Sequence, residues 1–175
     1  NQPVQIGRML HWDILGIYRG VLDGLKAATR LALGGSPGSG LAGIGVDSWG
    51  VDYGLLDGSG ALVGNPVCYR DMRTDGVMEK VLLDVGAERI YATTGVQNLP
   101  FNTAYQLVAA RDTPAFGAAR QLLLIPDLIS YWLTGEIGVE LTNASTTQLL
   151  DARTHTWATD LIARLGLDEA LFPTL

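Results

Sequence analysis

Ile44-Gly45-Val46-Asp47-Ser48-Trp49-Gly50-Val51-Asp52-Tyr53-Gly54-Leu55-Leu56-Asp57 sets polar and aromatic groups inside a run that is otherwise apolar and strand-forming. Residues 44–46 and 51–56 read as the two strands of a hairpin, and Asp47-Ser48-Trp49-Gly50 falls where one ends and the next begins. Carboxylate, hydroxyl, indole and bare backbone then share one rim. That mixture suits a polyhydroxylated small molecule, because aromatic faces cover C–H surface, carboxylates accept hydroxyl protons and glycine admits a ligand to the backbone. The same residues also fit a plain turn, with Trp49 as a core anchor and Gly50 at positive φ.

Working outward, the 175 residues suffice for one domain with a real core, and 47% hydrophobic against 17% charged residues argues for a well-buried globular chain. The net charge is −6, and the 12 basic residues are scattered singly, which disfavours nucleic acid as a partner. Cys68 is the single cysteine, and His11 and His155 are the only histidines, so neither an internal disulfide nor a His/Cys metal site is expected. No stretch approaches the roughly 20 apolar residues that span a bilayer, and the first residues lack the basic and apolar regions of a signal peptide. A cytoplasmic protein with no membrane partner is expected. The start at Asn1 without Met and the apolar end at Leu175 suggest a piece of a longer chain.

Ahead of the opening stretch, Ile14, Leu15, Ile17, Tyr18, Val21, Leu22, Leu25 and Ala28 recur at helical spacing after Asp13, a good N-cap, and stop before Gly34-Gly35. Residues 34–40 read as a loop, 58–60 as a turn and 61–69 as a third strand. Helix followed by hairpin implies a mixed α/β sheet. Helices are expected at 77–85, 102–111, 128–133 and 159–165, with 121–125 a short buried strand or helix lead-in. Gly38-Ser39-Gly40-Leu41-Ala42-Gly43 copies the glycine spacing of dinucleotide sites but follows a helix and precedes a strand, the reverse of the order that chemistry needs. Asn143-Ala144-Ser145 matches a glycosylation sequon, which has no meaning without secretion.

Three more segments concentrate site-like groups. Tyr69-Arg70-Asp71-Met72-Arg73 ends an apolar strand with an aromatic, two guanidinium groups and a carboxylate, a place where open α/β sheets carry ligands; an ion pair of Asp71 with Arg70 or Arg73 explains it equally well. Gln97-Asn98-Leu99-Pro100-Phe101-Asn102-Thr103 puts amides and an aromatic ahead of a helix, where Asn102 also suits an N-cap and Phe101 a staple. Pro126-Asp127 through Gly135, then Thr142 through Asp151, are dense in hydroxyls and amides whose default role is a loop-holding polar network.

Together these segments resemble the N-terminal domain of the FGGY carbohydrate kinases. The similarity runs from His11-Trp12-Asp13 to Leu175, with Trp49-Gly50-Val51-Asp52, Tyr69-Arg70-Asp71 and Leu99-Pro100-Phe101-Asn102-Thr103 closest to the rhamnulose branch. The resemblance implies a ribonuclease H-like, actin-type α/β domain with a mixed sheet and flanking helices, occupying residues 1–175. It implies a sugar substrate as partner, with ATP and Mg2+ bound mostly by a C-terminal nucleotide domain outside this chain. Phosphoryl transfer would yield L-rhamnulose 1-phosphate, a step of rhamnose catabolism. Gly50 then corresponds to a backbone contact to the sugar with Trp49 beside it, and Tyr69 and Phe101 to aromatics against the substrate. Arg70, Asp71, Gln97 and Asn102 complete the expected pocket.

Two departures accompany the match. No phosphate hairpin of the Asp-x-Gly type precedes Asn1, and the family's general base falls after Leu175, so no catalytic residue is assigned and the chain alone is expected to be inactive. Asp47 and Asp52 are not read as that base. Another ketose or pentulose kinase, or a noncatalytic sugar-sensing module, remains an alternative.

Overall fold

The structure is a computed structural model that describes residues 2–33 and 41–175. The expected loop at 34–40 and the first half of the glycine pattern at 38–43 lie outside the described residues.

Strands β1 (Val4–Ile6) and β2 (Met9–His11) form an antiparallel hairpin whose turn uses Gly7 at φ 62°. Helix α1 (Ile14–Leu33) follows, and Asp13 caps it as expected, its Oδ1 accepting from the Gly16 amide at 3.0 Å. A Cβ on Gly16 would collide with that carboxylate at 2.2 Å, so the cap fits only because residue 16 has no side chain. The apolar stripe of α1 seats Ile14, Ile17, Tyr18 and Val21 on the core. Tyr18 also donates its hydroxyl to the Trp132 carbonyl at 2.8 Å.

The opening stretch departs from the expected hairpin. Residues 44–46 belong to no strand, and Ile44 is 57% exposed; an apolar run becomes a strand only where a neighbour completes its hydrogen-bond ladder, and no described segment does so. Strand β3 (Tyr53–Leu56) instead pairs antiparallel with a distant segment, Tyr53 opposite Leu124 and Leu56 opposite Gln121. The turn at 58–60 is present, with Asp57 Oδ1 accepting from the Ser59 and Ala61 amides. No continuous third strand runs over 61–69. Leu62 bridges Leu56 and Val67 bridges His11, and between them Pro66, which has no N–H, helps break the ladder as the chain crosses from β3 to β2.

Helix α2 (Val77–Val81) leads into a π turn at Leu82–Gly86, which together fill the helix expected at 77–85; Gly86, at φ 94° and ψ 125°, breaks the run, and a second helix, α3 (Ala87–Thr94), starts after it. Next come α4 (Thr103–Ala110), the short α5 (Pro114–Ala118) and β4 (Gln121–Leu124), β3's partner. Helix α6 (Ile125–Thr134) begins three residues earlier than expected, because Pro126 sits in its first turn, where a missing N–H costs nothing. It ends at Gly135, left-handed at φ 82°. The chain closes with α7 (Leu141–Ser145), the strand pair β5 (Leu150–Asp151) and β6 (Thr156–Trp157), and α8 (Thr159–Arg164). Leu122, Leu123, Leu124, Ile125 and Leu128 are fully buried and form the centre of the core beneath β3. The described strands make three antiparallel pairs.

Candidate functional site

The kink between residue 46 and β3 builds the site. Positive φ falls on Val51, at 67°, and not on Gly50. A β-branched residue adopts this conformation only when its surroundings impose it. Here the Val51 carbonyl accepts from Thr103 Oγ1 at 2.9 Å and Gln106 Nε2 at 3.1 Å, both from α4. Held in this way, the backbone turns Asp52 inward and leaves Trp49 and Gly50 at the surface.

Asp52 is fully buried and is the hub of the site. Its Oδ2 accepts from the indole Nε1 of Trp12 at 2.6 Å, the indole Nε1 of Trp49 at 2.9 Å and the Tyr69 amide at 3.3 Å, while Oδ1 accepts from Gln106 Nε2 at 3.2 Å. Burial pushes the Asp52 carboxyl above the usual carboxylate range, and these four donors pull against that rise. Both oxygens are engaged and neither reaches the surface, so Asp52 is placed to hold the site together and not to take a proton from a bound sugar.

The two indoles lie 4.7 Å apart between centroids, tilted by 50°. Trp12 reaches this place because the β1–β2 hairpin is tied to the segment before Tyr69: Trp12 N donates to the Pro66 carbonyl at 2.9 Å and Cys68 N to the Leu10 carbonyl at 2.7 Å. Tyr69 faces Phe101 edge-on at 5.8 Å, and Arg70 donates to the Tyr69 hydroxyl at 3.0 Å while stacking over its ring. Gln106, also fully buried, reaches the Phe101 carbonyl at 2.9 Å and accepts from Arg73 Nη2 at 2.7 Å. One network thus carries Trp49, Gly50, Tyr69 and Phe101.

Three other expected site residues are committed elsewhere. Asp71 forms no ion pair with Arg70 or Arg73; its oxygens take the Leu10 amide at 2.6 Å and the Arg73 amide at 2.9 Å, fastening the hairpin and capping a short 3-10 turn at Met72–Thr74. Asn102 stands at the N-cap of α4 but does not cap it, because its side-chain amide donates to the Gln97 carbonyl at 2.8 Å. Gln97 is exposed, and its loop is stapled from behind by Gln148, whose Nε2 also reaches Asn98 Oδ1 at 2.9 Å. The dense polar segment after residue 142 therefore does hold a loop, as its composition suggested.

Beside Gly50 lies a polar cavity of about 580 Å3, lined among others by Ser48, Asp127, Ser130, Glu140, Asn143 and Thr146. Ser48 Oγ, Asp127 Oδ2 and Asn143 Nδ2 are buried there without a partner among the described residues. Burial pushes the Asp127 carboxyl up to about 6.

Sequence reasoning missed Trp12, Gln106 and the organising role of Asp52. Gln106 carried a legible signal: an amide between Tyr105 and Leu107 on an otherwise apolar helix face must find partners if buried. The pairing of Asp52 with Trp12 and Gln106 carried none, since these two stand 40 and 54 residues away.

Comparison with known proteins places this geometry. Residues 4–175 match the FGGY family of carbohydrate kinases, N-terminal domain. The chain is 50% identical over 158 residues to a rhamnulokinase of Pectobacterium atrosepticum, covering 89% of this chain and 31% of that protein. It is 44% identical over 164 residues to a rhamnulokinase of Enterococcus faecalis, covering 94% and 32% respectively. The chain thus spans about a third of the length of the curated relatives it matches. Ligand-bound xylulose kinase from Lactobacillus acidophilus superposes with a TM-score of 0.85 at 22% identity, over 98% of this chain and 35% of that one. The fold is that of these kinases, the ribonuclease H-like α/β class expected from the sequence.

Proposed function

The chain belongs to the FGGY family of carbohydrate kinases, and on that premise we propose that it forms the sugar-binding, N-terminal part of an ATP-dependent kinase that converts L-rhamnulose to L-rhamnulose 1-phosphate. The observation that carries this reading is the aromatic rim fixed by Asp52. Trp49, Tyr69 and Phe101 are half-buried, with ring surface still open to a ligand, while a single buried carboxylate and Gln106 hold their backbones and indole in place. Rigid aromatic faces beside an unobstructed backbone at Gly50 suit a sugar's alternating C–H and hydroxyl surface. Arg70 at the rim and the Gln97 and Asn102 loop supply polar neighbours, and Asp71 contributes by seating the hairpin. The sugar's identity rests on the names of the relatives.

The nucleotide, its metal and the general base are assigned to parts of the kinase beyond these residues, so residues 1–175 alone bind sugar and do not turn it over. Among the described residues, no cluster of three or more His, Cys, Asp or Glu is arranged to hold a metal ion, so no metal-dependent step is derived from them. No described helix is long and apolar enough to cross a membrane. A cytoplasmic location is part of the proposal.

Calorimetric titration tests it, with L-rhamnulose against L-fuculose, D-xylulose and glycerol. Preferential heat with L-rhamnulose is expected, and Gly50→Arg should abolish it: a Cβ there lies against Thr146 Oγ1 at 3.4 Å and Asn143 Oδ1 at 3.5 Å, so the long cationic side chain fills the space beside the Gly50 backbone. Equal heats for all four compounds, or binding that survives Gly50→Arg, contradict the assignment.

A further inference from the structure

We propose that the apolar cavity lined by Tyr53 and Arg73 is a second ligand site, separate from the sugar rim, that takes a small monocarboxylate with an apolar body. The carboxylate is received by Arg73 and Tyr53, and the inference does not depend on the kinase reading above.

The cavity holds about 400 Å3, room for a body of phenyl or indole size. Its walls come from separate parts of the chain: Met9 from the hairpin, Leu55 and Val63 from β3 and the segment after it, and Ala109 and Pro114 from α4 and α5. Tyr53 and Leu55 stand two apart in β3 and so share the face toward this cavity, while a Cβ on Gly54 between them would meet Leu128 and Leu62. Neither Trp49, Gly50, Tyr69 nor Phe101 lines it, so a ligand there leaves the rim open.

Two donors in this lining lack acceptors. Tyr53 is 6% exposed, and its hydroxyl has no hydrogen-bond partner among the described residues; Arg73 Nε is buried without one as well. Burial pushes the Tyr53 phenol above its ordinary value against the pull of the Arg73 charge, so the hydroxyl keeps its proton. A guanidinium only donates and cannot accept that proton. Arg73 stands with its Cζ 5.9 Å from the Tyr53 ring centroid, gives Nη2 to Gln106 at 2.7 Å and forms no ion pair among the described residues. Buried donors in this state cost free energy until an acceptor arrives. A carboxylate answers both at once, because its two oxygens accept from a guanidinium and a hydroxyl together and its charge meets the cation. An apolar body then covers the surrounding carbon walls, which a free sugar or inorganic phosphate would leave wet.

The test uses the full-length protein with phenylacetate as probe, beside 2-phenylethanol, which has the same body and a neutral head. Ligand-observed NMR titration should show saturable binding of phenylacetate, about tenfold tighter than 2-phenylethanol and unchanged by saturating L-rhamnulose. Tyr53→Phe removes only the hydroxyl and should weaken phenylacetate roughly tenfold, the worth of one hydrogen bond to a charged group. Ala109→Phe leaves both donors in place, fills the cavity and should abolish binding of both compounds. Should Ala109→Phe not fold, Tyr53→Phe decides alone. Equal affinity for the two compounds, displacement by L-rhamnulose, unchanged affinity in Tyr53→Phe, binding that survives in folded Ala109→Phe, or no binding of phenylacetate to the wild type overturns the proposal. None of these results touches the kinase reading, which the sugar titration tests.

Discussion

Two buried carboxylates, Asp52 and Asp127, are held in opposite ways. Asp52 receives four donors, whereas Asp127 receives the Glu140 amide at 3.1 Å on one oxygen and nothing on the other. Burial, reinforced by the Glu140 carboxylate, raises the Asp127 carboxyl from 3.8 to about 6. The native state therefore keeps a proton that the unfolded chain has released, so this group's contribution to stability is fullest below about pH 4 and is lost as pH rises through about 6. Asp127→Asn preserves the acceptor for Glu140 and replaces the ionisable oxygen by a neutral donor. Thermal unfolding should show the variant more stable at pH 8 by about 1–3 kcal/mol and nearly equal at pH 4; a variant less stable than wild type at pH 8 would contradict the sign. The sequence drew attention to Trp49 and Gly50 because an indole and a bare backbone position interrupt an apolar run there. It could not show that Asp52 rather than Asp71 gathers the site, because both sit beside aromatics and both are buried, and only the folded path decides which donors each one meets.

Helices were easier to read than strands, and the reason lies in where each finds its hydrogen bonds. Helix α1 carries its own cap at Asp13 and its own stop, and its expected limits agree with the structure. Strand β3 needs β4, which is 65 residues away or more, and no local pattern in 44–57 names that partner. Nor does an apolar run announce the lack of a partner, which is why 44–46 read as a strand. The β3–β4 pair in turn carries helix α6, and Gly54 marks how closely: a Cβ there would meet Leu128 Cδ2 at 2.8 Å and Leu62 Cδ1 at 3.0 Å. Gly54→Ala should cost about 1–3 kcal/mol by overpacking, read as a lower midpoint in urea with an unchanged slope. Equal or greater stability would mean that the layer between β3 and α6 is looser than the structure shows.

The molecule as a whole is organised so that a hairpin, the kinked segment before β3 and one helix converge on Asp52, while the apolar centre is built by β4 and the start of α6. The fold class was legible once the motifs were taken together, since the helices, the turn at 58–60 and the Trp-Gly and Pro-Phe-Asn segments fall in one order along the chain. The network that unites them was not, because it spans α4, the 66–69 segment and the hairpin at separations no periodicity encodes. Chemistry on the sugar is proposed to need the remainder of the kinase, so the most direct test of the account is steady-state phosphoryl transfer by the full-length protein from ATP to L-rhamnulose, measured beside D-xylulose and glycerol. The account predicts turnover with L-rhamnulose at the highest kcat/KM of the three. Turnover with D-xylulose or glycerol at a higher kcat/KM, or none with L-rhamnulose, would contradict it.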